Sequence, residues 1–345
     1  MKKEDFSAKK EKVLSKLQLE PVKIMNSRNH CEVMRCRSKK GQDLVLKFLK
    51  WKKKKHNFQK EIDILNKENP KGRLRFPRLV DFGPEYIVTE FDSGQKLNIE
   101  KLDQKQINLL IQALIDLRSL PISSGDSPFL TKSSFWRTYI WRLFYNLSYL
   151  VPEYLNIFQA LRCLSIIISA KRYFGCYSVH IHGSFEADNI ILGRDSDYVL
   201  LVDFENFSLK DTFWYDVLYL CCEPCAFFEQ WTWQKTLIAE YWAKLRTDNQ
   251  FRISPEGVKQ TMRMVLLTLT LQQMGMQRIS DEEKRFFRKM SPAFLLSRGL
   301  LKILRILKII RPLKMSPEMK ARINNMETLI NKDSFSKLYQ DLIEK

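Results

Sequence analysis

The chain has 345 residues, of which 45% are apolar and 28% charged, enough apolar material for one large domain or two smaller ones. The 58 basic against 39 acidic residues leave a formal charge of +19, which predicts anionic partners but no particular fold. No window approaches the about 18 uninterrupted apolar residues of a spanning helix, and residues 1–16 lack the apolar run of a secretory signal, so a cytoplasmic chain is expected. The seven cysteines are an odd number and point to reduced thiols, not to a disulfide framework. No nucleic-acid-binding motif accompanies the charge, so nucleic acid is not an expected partner.

In chain order, residues 1–21 read as a charged helical extension. Residues 22–25, 31–37 and 43–49 read as three strands broken by polar turns, the first turn (26–30) lacking glycine. The third strand ends its apolar run on Lys47, with Lys50 close behind. Residues 58–65 have helical spacing, with Phe58, Ile62 and Leu65 on one face and Glu61 between them. The lysine run at 52–55 reads as a solvated loop. Residues 77–91 read as strand, turn, strand, and residues 103–120 as an amphipathic helix capped near Asp103.

Residues 133–174 are expected to be helical. Their aromatics, among them Phe135, Trp136, Trp141, Phe144 and Tyr145, are expected in the core, with a substrate-facing wall as the alternative. Helices should follow near 214–228, 231–245, 255–276, 281–287 and 292–310, with a polar helix to Lys345. Within 295–314, Arg298, Lys302, Arg305 and Lys308 form a cationic face opposite aliphatic residues. Such a helix packs on a domain core or lies peripherally on an anionic membrane. Cys221, Cys222 and Cys225 cluster, but zinc needs four ligands and no second pair is near. They read as small buried residues on a helix.

The most informative stretch is 180–216, HIHGSFEADNIILGRDSDYVLLVDFENFSLKDTFWYD. Residues 189–192 and 198–202 read as the strands of a hairpin, with Asn189 opening one and Asp203 closing the other. The open ends of a hairpin lie together, so the Asn189 amide oxygen and the Asp203 carboxylate can share one hard cation.

This stretch resembles the catalytic segment of the aminoglycoside phosphotransferase and choline kinase group, within the protein-kinase-like fold. The matching residues are His182-Gly183-Ser184, Asn189, Asp203-Phe204-Glu205 and Asp211 with Tyr215-Asp216. The resemblance implies an α+β, bilobal protein-kinase-like fold: the extension over 1–21, a sheet-bearing N-lobe over 22–92 and a helical C-lobe over 93–345. It implies ATP and Mg²⁺, with Lys47 on the phosphates, Glu61 holding Lys47 (Lys50 being the rival lysine), and Asn189 and Asp203 on the metal. Glu90 to Asp92 would form the hinge at the adenine edge, and His182 and Asp216 would support the catalytic loop. One position departs from the pattern: Ser184 stands where the family has its catalytic Asp. Loss of a general base costs about 10²–10⁴ in rate. Glu186 is the preferred substitute carboxylate, ahead of Asp188.

Three readings therefore stand open. The chain is a Mg²⁺·ATP-dependent phosphotransferase acting on a hydroxyl of a small-molecule, sugar or lipid-linked acceptor. Or it is a pseudokinase that binds nucleotide or a partner without chemistry. Or it transfers another part of the nucleotide.

Overall fold

The computed structural model describes residues 3–27, 31–50, 55–67, 70, 72–123, 125, 127–130, 132–151, 154–174, 178–195, 197–223, 228–247, 254–278 and 317–343. The basic 295–314 stretch, the 52–54 lysines, Arg28, His30, Cys225 and the helices expected at 281–287 and 292–310 lie outside the described residues. The fold is α+β, an N-terminal antiparallel sheet followed by a larger helical region. The chain divides into two compact units: Met1–Lys132 with Val179–Asp211, and Ser133–Ser178 with Thr212–Lys345. Residues 93–132 and 179–211 thus cluster with the sheet and not with the later helices.

The first unit begins with helix α1 (Lys3–Leu17) and strands β1 (Leu19–Ser27), β2 (Cys31–Ser38) and β3 (Asp43–Leu49). Helix α2 (Lys55–Leu65), β4 (Leu74–Arg75), β5 (Leu79–Gly83) and β6 (Tyr86–Glu90) follow. The sheet order is β1-β2-β3-β6-β5, antiparallel throughout. Strand period two sorts β3 into two faces. Leu44, Leu46 and Phe48 join a buried cluster with Met34, Cys36 and Val88, while Val45 and Lys47 line a cavity.

The amino-terminal helix is part of this core, because Phe6, Val13, Leu14 and Leu17 pack on that cluster. Phe6 meets Phe48 edge to face at 5.4 Å, and Lys10 donates to Glu32 at 2.8 Å. The first strand starts at Leu19, three positions before the expected Val22.

Strands β7 (Gln95–Lys96), β9 (Ile190–Leu192) and β10 (Val199–Leu201) join β4 in a second sheet, and β8 (Ser178–Ile181) pairs with β11 (Ser208–Thr212). Helix α3 (Gln104–Arg118) starts with a capping box between Asp103 and Gln106. Its buried Asp116 accepts the amides of Arg73 at 2.7 Å and Leu74 at 3.1 Å, fixing the approach to β4.

The second unit is helical. It holds a π-helical turn (Trp136–Trp141), α4 (Arg142–Leu150), α5 (Ile157–Phe174), α6 (Tyr215–Cys222), α7 (Trp233–Arg246), α8 (Pro255–Arg278), α9 (Pro317–Ile330) and α10 (Lys332–Ile343). Helix α8 packs against α4, α5, α6 and α9. The helix expected across 133–174 is divided because Val151 is extended (ψ 135°), as a residue before proline tends to be.

The expected burial of the aromatics holds for Phe135, Tyr139 and Phe174, but Trp136, Trp141, Phe144 and Tyr145 are exposed. The reason is phase. Ile140, Leu143, Asn146 and Leu150 take the buried face, which leaves Trp141, Phe144 and Tyr145 on the other. Among the described residues no helix is long and apolar enough to cross a membrane.

Candidate active site

The site is built from β3, α2 and the β9–β10 hairpin, all in the first unit. Register places Lys47 in the middle of the sheet, between Val33 of β2 and Ile87 of β6. Its Nζ donates to Glu61 Oε2 of α2 at 2.6 Å and to Asp203 Oδ1 at 2.8 Å, and lies 3.3 Å from Glu205 Oε1. The rival Lys50 lies past the strand and donates to Ser27 Oγ at 2.8 Å. Three carboxylates around one buried ammonium hold Lys47 protonated, well above its ordinary range, against the cost of burial. Burial, helped by the neighbouring carboxylates, lifts the Glu61 carboxyl to about 7 against the pull of Lys47. Removing one member of such a buried group leaves charge uncompensated, at about 3–5 kcal/mol.

The hairpin pairs Ile190 with Leu201, and the Val202 amide donates to the Asn189 carbonyl at 3.1 Å, so Asn189 and Asp203 sit at its open end. Asp203 adopts a left-handed backbone (φ 67°, ψ 68°), a conformation that costs a non-glycine residue and recurs at functional sites. The 3-10 turn Phe204–Asn206 follows. This reversal brings Glu205 back to Lys47 and directs the Asn206 amide onto Ser184 Oγ at 2.6 Å.

Asn189 is buried. Its Nδ2 donates to the Ser184 carbonyl at 2.9 Å and to Glu186 Oε1 at 3.3 Å, an orientation that reserves Oδ1 as an acceptor. Ser184 is 9% exposed. Asp188, the lesser substitute carboxylate, accepts Lys96 at 2.9 Å on the exposed surface.

Gly183 has φ 78°, and a Cβ there would run into the Asn206 carbonyl oxygen, so glycine is required where the 182–184 segment crosses the turn. His182 is fully buried, with Nε2 donating to the Val202 carbonyl at 3.0 Å and its ring edge-on to Phe204 at 4.9 Å. Burial pushes its imidazole down to about 4, so the ring is neutral near pH 7. Asp216 is buried in the first turn of α6, which belongs to the second unit.

A cavity of about 520 Å³ opens over these groups. Lys47, Glu61, Asn189 and Asp203 line one part of it; Val33, Val45, Ile87, Ile191 and Leu200 line another. Glu90, Phe91 and Asp92 lie along its rim, where Asp92 accepts the Gly94 amide and the Tyr198 hydroxyl, each at 2.7 Å. Glu61, Asp203 and Glu205 form the one cluster of possible metal-ligating side chains among the described residues. Sequence reasoning gave no role to Glu205 or Asn206. For Glu205 the signal was its place in the matched Asp203-Phe204-Glu205 run, and for Asn206 it was position alone, three residues beyond Asp203.

Comparison with known proteins speaks to the family and the fold. Residues 32–252 match the model of the phosphotransferase enzyme family, well over half of the chain. No curated protein sequence matches the chain. Among solved structures, the ADP-bound aminoglycoside phosphotransferase APH(2'')-Ib is similar at a TM-score of 0.59 and 15% identity, covering 93% of this chain and 98% of that one. A choline/ethanolamine kinase family protein from Mesorhizobium loti is similar at a TM-score of 0.56 and 13% identity, covering 97% and 99%. The amicoumacin kinase hAmiN, in complex with AMP-PNP, Ca²⁺ and Ami, is similar at a TM-score of 0.54 and 11% identity, covering 98% and 100%. At these identities the structures speak for the shared fold, and the matched family model speaks for kinship: the chain belongs to the phosphotransferase enzyme family.

Proposed function

We propose that the protein is a Mg²⁺·ATP-dependent phosphotransferase acting on a hydroxyl group. The observation that carries this reading is Lys47, held between Glu61 and Asp203 on the wall of a cavity that also takes in Asn189. The apolar residues Val33, Val45, Ile87, Ile191 and Leu200 suit an adenine ring. Its polar edge would meet the Glu90–Asp92 segment. There the Glu90 and Phe91 amides already donate to the Arg78 and Asp43 carbonyls at 2.9 and 3.2 Å, so other groups of the segment would read the base.

Lys47 would bind the phosphates, with Glu61 and Glu205 fixing its ammonium. Mg²⁺ fits the donors present: Asn189 Oδ1, oriented by the two bonds its Nδ2 makes, and the Asp203 carboxylate are hard oxygen ligands lining the same cavity. An ion held there would neutralise charge on the transferring phosphoryl group. Glu186, whose carboxylate is tied to Asn189, is the group proposed to take the acceptor proton, with Ser184 orienting the hydroxyl. The acceptor class, a small molecule, sugar or lipid-linked glycan, is proposed on family grounds.

Release or transfer of the γ-phosphate from labelled ATP tests this reading. Metal-dependent turnover that falls in Asn189→Ala supports it. Nucleotide binding without turnover, against a panel of hydroxyl acceptors, would replace it with the pseudokinase reading, which one observation favours: Ser184 stands at the catalytic position and its Oγ accepts a bond from Asn206.

A further inference from the structure

The π-helical turn, α4 and α5 carry exposed apolar side chains, a face that phosphoryl transfer does not use. Both helices lay their buried sides on α8. On α5, Ala160, Cys163, Ile167 and Ala170 are buried, while Phe158, Leu161 and Ile168 point away. Together with the π-helical turn and α4, this leaves Trp136, Trp141, Phe144, Tyr145, Phe158 and Leu161 in solvent. Trp141 is 71% and Phe158 73% exposed. Lys171 sits over the Trp136 ring at 4.8 Å, joining the two elements at one end of the face.

The charge of this face is one-sided. Residues 133–174 contain a single acidic residue, Glu153, against Arg137, Arg142, Arg162, Lys171 and Arg172. Glu327 of α9 accepts a bond from the Gln159 amide at 3.2 Å, at the side of α5 toward α9.

We infer that this face docks the protein on an anionic phospholipid surface, with Trp136, Trp141, Phe144, Tyr145, Phe158 and Leu161 entering the interface and Arg162 and Lys171 meeting lipid phosphates. Exposed tryptophan and tyrosine with an excess of basic neighbours is the composition that partitions to the boundary between headgroup and acyl chain. Charge argues against the other occupants. A second copy meeting this face through its own would set an excess of arginine and lysine against the same excess, five basic residues to one acidic in each 133–174 stretch. The chain's own 295–314 stretch is also basic, through Arg298, Lys302, Arg305 and Lys308. A small acceptor is too short for the face, because Phe158 and Ile168 alone are separated by about 15 Å at about 1.5 Å per residue.

The test is co-sedimentation of the full chain with vesicles of phosphatidylcholine, alone or mixed with phosphatidylglycerol. Wild type should pellet with the anionic vesicles, less so at high salt, and stay in solution with phosphatidylcholine alone. Trp141→Ser combined with Phe158→Ser should lower partitioning by roughly tenfold or more at an unchanged melting temperature, since both side chains are already in water. Arg162→Glu with Lys171→Glu should lower it as well. Quenching of tryptophan fluorescence by brominated lipid, weakened in Trp136→Phe with Trp141→Phe, would place these rings in the bilayer without removing an aromatic. Wild type that ignores anionic vesicles would overturn the inference. So would a Trp141→Ser/Phe158→Ser chain that binds like wild type, since the attraction would then lie elsewhere, for example in 295–314. A concentration-dependent dimer abolished by the same pair, with no vesicle binding, would assign the face to a second copy and overturn it too.

Discussion

Asn206 donates its side-chain amide to the Ser184 hydroxyl across 2.6 Å. An amide donor fixed at this point would suit a carboxylate better than a hydroxyl, because a hydrogen bond to a charged acceptor is roughly twice as strong as one to a neutral acceptor. Ser184→Asp is therefore expected to find a ready partner and to raise turnover by on the order of 10²–10⁴ under the phosphotransferase reading. Single-turnover kinetics of the wild type and Ser184→Asp check this. Equal rates would mean that position 184 does not handle the acceptor proton.

The companion change is Glu186→Gln. If Glu186 takes the proton in place of the missing Asp, its loss lowers kcat by about 10² or more with little effect on nucleotide affinity. Glutamine still accepts the Asn189 amide, so the metal-facing Asn189 oxygen stays oriented. An unchanged kcat would remove Glu186 from the mechanism.

Glu61 makes a pH-dependent contribution. Its carboxyl is raised from 4.5 to about 7 in the folded chain, so the folded state binds more protons than the unfolded one between those values. That contribution is full below 4.5 and is lost as pH rises through 7. Glu61→Gln mimics the protonated carboxyl, so its melting temperature relative to wild type should improve from pH 5 to pH 8. A constant difference across that range would contradict the burial argument.

His182 acts in the opposite sense. Its imidazole is lowered from 6.5 to about 4, so its contribution is full above 6.5 and is lost as pH falls through that window. Each pH unit inside it is worth up to about 1.4 kcal/mol. His182→Asn keeps a donor toward the Val202 carbonyl but not the ring packing on Phe204. It should be less stable than wild type at neutral pH, by an amount that shrinks toward pH 4, read by chemical denaturation at several pH values.

How much of this was legible in the sequence varied from residue to residue. The hairpin that joins Asn189 to Asp203 follows from two short apolar runs and a polar turn between them. The choice of Lys47 over Lys50 needed the register, which puts Lys47 on the cavity side of β3 and leaves Lys50 beyond the strand. Glu205 was visible as a motif residue, but its contact with Lys47 and that of Asn206 with Ser184 were hidden, because both depend on the left-handed backbone of Asp203, and no local rule puts an aspartate there. The exposed tryptophans were misjudged because burial preference speaks of residue type, whereas helix phase decides which side faces α8. On α4 a buried Asn146 shares the inner face with Leu143 and Leu150 while Trp141 looks outward.

The most direct test of the nucleotide site is thermal unfolding with and without ATP and Mg²⁺, in wild type and Asp203→Ala. Ligand at about 100 times its dissociation constant adds about 2.7 kcal/mol. At about 2–4 °C per kcal/mol, the expected result is a rise of several degrees that needs the metal and vanishes in Asp203→Ala. No shift in wild type with any nucleotide, or a shift of equal size in Asp203→Ala, would contradict the assignment of Lys47, Asn189 and Asp203 to a metal–nucleotide site.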